Sequence, residues 1–288
     1  MRRAAGFVGV VAALFVVVTV LKHDAGPPAS PIDSLAVSVG ERDRIRQFWG
    51  VYRAATEHRI AGRPRDAAHE YRRALALDPE HLDALYYLGN MEFDLGSFAA
   101  AETAWKQLIA LDPTSARAHA QLGTLYFCVG EGQMLQPEHA LAELERAATI
   151  NREETGPLLS LGEIALVQGD LERAHELLDA VIGSNYTSVE AHFYLGYLAW
   201  KSGVVAEAAD LLAAAVRYAQ PSAPVGEVAG EGDTRAGSAP MVRAPSRCGA
   251  MRAHTDELAR VEGDMMQLVD PVYRAFDGWL EEARGSLP

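Results

Sequence analysis

A repeat with a period of 34 residues constrains the fold of this chain more than any other feature of its sequence. Five successive units place a glycine at the same point, namely Gly62, Gly96, Gly130, Gly169 and Gly203. An alanine follows five residues later, or ten in the third unit, at Ala67, Ala101, Ala140, Ala174 and Ala208. Such a period is typical of chains built from stacked supersecondary units, each of which leaves an apolar face for its neighbour to cover.

The residues around these positions favour pairs of helices. Ala, Leu, Glu and Arg are common in the units, and these residue types prefer helix. We expect the recurrent glycine to close a first helix and the alanine to lie early in a second. Pro79 and Pro113 end two of the units, because proline lacks the donor needed to continue a helix. Small residues such as Gly89 and Ala101 allow the two helices of a unit to approach closely.

The pattern resembles the tetratricopeptide repeat, which places Leu-Gly in the first helix, Ala in the second and Pro after it. Leu-Gly occurs here at 88–89, 122–123, 161–162 and 195–196. The first unit has Ala54-Ala55 instead, and the third carries five extra residues within 131–138. The resemblance implies an all-α, right-handed solenoid over residues 41–220. Its helix-turn-helix repeats would cover residues 48–81, 82–115, 116–154, 155–188 and 189–221.

The N-terminal segment predicts a location. Arg2 and Arg3 precede an uncharged run from Ala4 to Leu21, which as a helix would span roughly 27 Å, close to the thickness of a bilayer's hydrocarbon core. No small-residue cleavage pattern follows it. We therefore expect residues 1–22 to be an uncleaved transmembrane anchor, with a cleaved signal or a buried helix as alternatives. The arginines favour a cytoplasmic N-terminus, so a single-pass protein would expose its repeats to the periplasm or the outside.

Two segments outside the repeats have the composition of linkers. Residues 23–40 are rich in Pro and small residues and predict a spacer, and residues 221–249 predict a disordered link. Residues 250–288 predict C-terminal helices, with one start near Thr255-Asp256-Glu257 and another at Asp270-Pro271. These helices either cap the open end of the solenoid or form an appendage that binds a partner.

The sequence gives no positive sign of catalysis, of a cofactor or of nucleic-acid binding. The formal net charge of −13 repels phosphate backbones. The chain contains no glycine-rich phosphate loop, no Gly-x-Ser-x-Gly and no His-Glu-x-x-His. The nine histidines are scattered, so we expect neither a metal site nor an enzyme. Cys128 and Cys248 are too few for a disulfide framework, and a single disulfide between them stays open.

The resemblance implies that the first helices line a concave groove, through positions 2, 5, 9 and 12 of each unit. Aromatic residues recur at these positions and supply rigid contact area at low entropic cost. The predicted partner-binding residues are Trp49, Tyr52, Tyr86, Asn90, Phe93, Arg117, Tyr197 and Trp200. Asn90 and Arg117 could hold a peptide backbone or a terminal carboxylate, although most of the basic set that grips a carboxylate in co-chaperone members is missing. The alternative is that several of the aromatic residues pack against the next helix or the C-terminal segment.

These expectations combine into a functional hypothesis. The protein would be a membrane-anchored scaffold for protein–protein interaction in the cell envelope, and it would bind a peptide segment of a partner in its concave groove. One alternative is an accessory factor for cytochrome maturation or secretion that presents a client polypeptide. Another is a structural module that assembles with itself.

Overall fold

The computed structural model describes residues 38–127, 136–220 and 253–285. Within those ranges it contains α-helices, one short 3-10 helix and no β-strand, so the predicted all-α solenoid-like fold is confirmed. The ten helices of the repeats are α1 (Val39–Ile60), α2 (Pro64–Leu77), α3 (Leu82–Asp94), α4 (Phe98–Leu111), α5 (Ala116–Tyr126), α6 (Pro137–Ile150), α7 (Thr155–Gln168), α8 (Leu171–Ser184), α9 (Val189–Lys201) and α10 (Val205–Ala219). They form five consecutive pairs that correspond to the five sequence units.

Tight turns join the two helices of a pair, and the recurrent glycine lies in them. Gly62, Gly96, Gly169 and Gly203 have φ values of 67°, 74°, 81° and 85°. Only a residue without a Cβ adopts this left-handed conformation at no steric cost. The repeat therefore keeps glycine where one helix ends and the chain reverses.

The glycine of the Leu-Gly pair lets the two helices of the second, third and fourth units touch. A Cβ on Gly89 would overlap the indole ring of Trp105, and a Cβ on Gly123 would overlap Leu144. The same atom on Gly162 would lie 3.0 Å from Leu178. The recurrent alanines of the second helices are all fully buried. The second, third and fourth pairs are thus each joined by a bulky side chain of the second helix seated on a glycine of the first.

The chain after the repeats folds as α11 (Ala253–Asp256), a 3-10 turn (Leu258–Arg260) and α12 (Met265–Gly285). The predicted helix start, with Asp270 as the cap and Pro271 as the first helical residue, is wrong, because α12 begins six residues earlier, at Met265. Asp264 accepts a hydrogen bond from the amide of Met266 at 3.0 Å and so caps the helix. Gly263, with a φ of 129°, separates α12 from the 3-10 turn.

The start of α1 also differs from the expected spacer. We expected the spacer to reach residue 40, but α1 begins at Val39, where the Ser38 hydroxyl accepts a hydrogen bond from the amide of Glu41 at 3.1 Å. A serine in this role stabilises a helix start. The first helix of the array is therefore longer than that of any later unit, at 22 residues.

The described helices contradict the predicted single-pass membrane location. Across residues 38–127, 136–220 and 253–285, no helix combines the length and the apolar character needed to cross a bilayer, which contradicts that location. The run 4–21 itself lies outside the described residues, as do the link 221–249 and the two cysteines.

Candidate partner-binding surface

The predicted groove residues fall into two groups in the structure. Trp49, Tyr52, Tyr86, Asn90 and Arg117 lie on α1, α3 and α5, and each keeps some exposed area. We call the surface that these five residues form the open groove. Tyr197 and Trp200 lie on α9, where α12 packs against them.

An aromatic cluster marks the first unit of the open groove. The rings of Phe48 and Trp49 lie 5.1 Å apart, and the ring of Tyr52 lies 5.7 Å from each of them. His81 packs against Phe48 at 4.6 Å and Tyr52 at 5.2 Å. Trp49 nevertheless stays 50% exposed. Burial and the nearby Tyr71 and Asp83 raise the pKa of Tyr52 to about 12, so its hydroxyl is protonated and can donate at neutral pH.

Arg117 joins the second and third units. Its guanidinium pairs with the Asp83 carboxylate and lies over the Tyr86 ring, 4.4 Å from the centroid. Asp83 precedes Arg117 by 34 residues, so the two occupy the same position of successive units. A guanidinium carries five N–H donors and one carboxylate accepts at most a planar pair of them. Arg117 is therefore held in place with donor capacity left for a ligand.

Asn90 carries an unusual polar atom. Its Oδ1 is buried, and no described residue hydrogen-bonds to it. Nearly all buried acceptors in folded proteins have a partner, because an unpaired one costs free energy. An amide can accept a hydrogen bond from a peptide N–H and donate one to a peptide carbonyl. Asn90 therefore holds an acceptor that has no partner within the described part of the chain.

A second arginine–tyrosine stack lies beside the first. The Arg59 guanidinium sits 4.4 Å from the centroid of the Tyr87 ring. Its Nε is buried and has no hydrogen-bond partner within the described part of the chain. Sequence reasoning did not single out Arg59 and Tyr87 as a pair, since their contact joins neighbouring units. Arg59 is at a groove position of the first unit but Tyr87 is not at one of the second, so the pattern of groove positions alone could not bring them together.

Two of the predicted groove residues, Phe93 and Tyr197, are buried, and a third, Trp200, is partly covered, which corrects their expected exposure. Phe93 is 4% exposed and lies between Phe98 and Trp105. Tyr197 has no exposed area, and its hydroxyl donates to Asp277 Oδ1 at 2.7 Å. Trp200 Nε1 donates to Asp270 Oδ1 at 3.2 Å. For Tyr197 and Trp200 the physical reason is the apolar face of α12, which covers α9. Phe93 is covered by α4 of its own unit instead.

The described residues hold no group of three or more His, Cys, Asp or Glu side chains arranged to bind a metal ion. The chemistry that the surface offers is therefore contact and hydrogen bonding by aromatic rings, an amide and guanidinium groups.

Comparisons with known proteins support the repeats. Residues 52–116 and 159–224 match the family model of the tetratricopeptide repeat. The comparison with curated proteins gave no match.

Solved structures with a similar fold include pilF of Pseudomonas aeruginosa, which is 15% identical with a TM-score of 0.55 over 85% of this chain and 95% of that one. PilW, a type IV pilus biogenesis factor, is 18% identical with a TM-score of 0.52 over 59% and 77% of the two chains. MamA from Desulfovibrio magneticus RS-1 is 17% identical with a TM-score of 0.52 over 64% and 97%. At these identities the likeness shows the fold alone. The family match itself supports tetratricopeptide repeats over residues 52–116 and 159–224.

Proposed function

We propose that this protein is an interaction scaffold that binds a polypeptide segment of a partner protein in the open groove. The observation that carries the proposal is the buried Oδ1 of Asn90, which lacks a hydrogen-bond partner among the described residues. An acceptor in this state gains a hydrogen bond when a backbone N–H enters. It costs the free protein stability, and a bound segment relieves that cost.

The neighbours of Asn90 suit the rest of such a segment. Tyr52 and Tyr86 are rigid rings against which side chains can pack, and Trp49 extends this surface to the exposed edge of α1. The guanidinium of Arg117 can donate to a carbonyl or a carboxylate while it keeps its contact with Asp83. The groove thus combines apolar contact with donors and an acceptor for a backbone, as peptide-binding surfaces require.

The proposal separates binding from stability at Asn90. Asn90→Ala should leave the free energy of unfolding unchanged or slightly higher, because the acceptor that it removes makes no hydrogen bond in the described structure. The same change should weaken peptide binding. An ordinary structural asparagine would behave in the opposite way, and its removal would destabilise the fold.

The test starts with peptides selected from a random library on the immobilised full chain. Their affinities are then measured for Asn90→Ala and for Tyr86→Ala, which should cost about 2 kcal/mol if the ring is an anchor. Tyr186→Ala is the matched control, since Tyr186 is 71% exposed and lies between α8 and α9, outside the open groove. If the selected peptides bind both groove variants as tightly as the wild type, the open groove is not the binding surface.

A further inference from the structure

The apolar face of α12 has the spacing of a coiled-coil strand. Val269, Tyr273, Phe276, Leu280 and Ala283 are buried, and the intervals between them alternate between four and three residues. This spacing keeps one seam of a helix against a partner surface over several turns. Phe276 lies at the centre of the seam, with its ring 5.1 Å from Phe193 and 5.0 Å from Tyr197.

Polar residues flank this seam at intervals of seven. Asp270 accepts from Trp200 Nε1 at 3.2 Å. Asp277 accepts from the Tyr197 hydroxyl at 2.7 Å and from Lys201 Nζ at 2.6 and 2.8 Å. Arg284, seven residues after Asp277, is a donor: it donates hydrogen bonds to backbone carbonyls at the end of α7. The distances are 2.9 Å to the oxygen of Leu166 and 3.1 Å to that of Val167.

The surface beneath α12 is therefore polarised. One end presents the donors of Tyr197, Trp200 and Lys201, and the other presents carbonyls of the last turn of α7, a helix end that favours a cation. A helix shifted by one residue would lose these hydrogen bonds, since Asp277 would turn away from Lys201. We call this surface, formed by Phe193, Tyr197, Trp200, Lys201 and the end of α7, the covered groove.

The contacts of α12 are made on groove positions of α9. One of the residues that α12 covers, Phe193, occupies the position that Tyr52 occupies in the open groove of the first unit. The Tyr273 hydroxyl is buried without a hydrogen-bond partner among the described residues. Such an atom makes the internal helix weaker than the shape of its seam allows.

We propose that the covered groove is a receptor for an amphipathic helix, that α12 is its internal occupant, and that a helix of a partner protein exchanges with it. The partner helix carries an aromatic residue at the centre of an apolar seam. It also carries two acidic residues and one basic residue at successive intervals of seven. This complementarity follows from the donors at one end of the covered groove and the carbonyls at the other.

An internal occupant weakens every competitor. A tethered helix acts at an effective concentration on the order of millimolar. The apparent dissociation constant for a partner helix equals the intrinsic one divided by the fraction of molecules in which the covered groove is vacant, so a small vacant fraction means weak apparent binding. A change that weakens α12 should therefore tighten binding of an external helix, which a fixed cap would not do.

The test uses the full chain and a fluorescent synthetic peptide of residues 264–285 as the probe. The wild-type chain should bind this peptide weakly. Phe276→Ala in the full chain removes the central ring of the internal helix, and the peptide should then bind at least about tenfold more tightly. The matched control is a peptide in which Asp277 and Gly278 are exchanged. It has the same composition but places the carboxylate one residue out of register, so it should bind about tenfold more weakly than the native peptide.

A charge reversal tests the register from the side of the receptor. Lys201→Glu, added to the Phe276→Ala chain, should weaken the native peptide about tenfold, and a peptide with Asp277→Lys should recover much of the loss. Asp277→Asn in the full chain is the second variant, because it weakens the internal helix without opening the seam. Circular dichroism on each chain confirms that the repeats stay folded.

Several outcomes would overturn the proposal. Phe276→Ala and Asp277→Asn chains that stay folded but bind neither peptide would show that α12 is a fixed part of the core. Loss of the helical signal in both chains would show the same. Equal binding of the native and exchanged peptides would show that the covered groove does not distinguish the position of the carboxylate along the helix. A concentration-dependent dimer of the wild-type chain that Lys201→Glu abolishes would assign the covered groove to α12 of a second copy instead of a partner protein.

Discussion

The contact between Gly196 and Tyr273 gives a prediction whose sign depends on the docking of α12. A Cβ at position 196 would overlap the Tyr273 hydroxyl oxygen, and it would lie 3.0 Å from Tyr273 Cζ and 3.2 Å from Leu211 Cβ. The ring of Tyr273 and the side chain of Leu211 would have to move to admit it. Overpacking of this kind typically costs about 1–3 kcal/mol.

Helix propensity acts in the other direction. Alanine is better than glycine inside a helix by roughly 0.5–1 kcal/mol. Gly196→Ala should therefore destabilise the protein by up to about 2 kcal/mol after the gain in propensity is subtracted from the cost of overpacking. Gly183→Ala in α8 is the matched control, because no atom lies within 4 Å of its added Cβ. It should stabilise the protein by the propensity term alone.

Tyr273→Phe extends the experiment. The hydroxyl that it removes is buried and unpaired among the described residues, so the change should stabilise the protein by about 1 kcal/mol or more. In the Gly196→Ala background it should stabilise more, because it also removes the atom that the new Cβ overlaps. Urea unfolding followed by circular dichroism measures all four chains. If Gly196→Ala is as stabilising as Gly183→Ala, α12 does not sit on α9 as described, and the reasoning fails.

Three further predictions follow from the same structure. Ala101→Trp should destabilise the protein by about 1–3 kcal/mol or more because the alanine is fully buried, whereas Ala100→Trp on the exposed side of α4 should change the melting temperature little. The double exchange Asp83→Arg with Arg117→Asp should preserve peptide capture better than either single change, since the ion pair is rebuilt; equal losses in all three chains would rule out a role for the pair. Burial raises the pKa of Tyr273, so the folded state keeps the phenol proton at pH values where the unfolded state loses it. The free energy of unfolding should therefore fall as the pH rises above about 10. A urea midpoint that falls as steeply in Tyr273→Phe would exclude this residue as the cause.

The repeats could be predicted from the sequence because their determinants are local. Gly62 and its equivalents are required by a backbone conformation, and Gly89 by the side chain that sits on it, so the same residue types return at the same interval. The resulting pattern locates the helices of each pair and the groove positions on the first helices. The start of α12 could not be read correctly, because Asp264 and Asp270 are both plausible caps and the contacts of Val269 on the solenoid decide between them.

The exposure of the groove residues was beyond sequence reasoning for a different reason. Tyr52 and Phe193 occupy the same position of their units, yet Tyr52 is partly exposed and Phe193 is buried. The difference comes from Tyr273 and Phe276, whose rings lie 5.3 Å and 5.1 Å from that of Phe193 and which lie far along the chain from it. No periodic pattern within the repeats carries that information. The pairing of Asp83 with Arg117 was more accessible, since opposite charges at equal positions of adjacent units are visible in an alignment of the repeats.

The ion pair between Asp83 and Arg117 also ties the geometry of the array to its ligand. In a solenoid, a small rotation from one unit to the next sets the curvature of the concave surface. A bond between equal positions of two units fixes that rotation locally. A ligand carboxylate that shares Arg117 with Asp83 would weaken this contact and let the second and third units turn slightly relative to each other. The radius of the groove would then change at the point where the ligand is held, so the open groove would adjust its bend to what it binds.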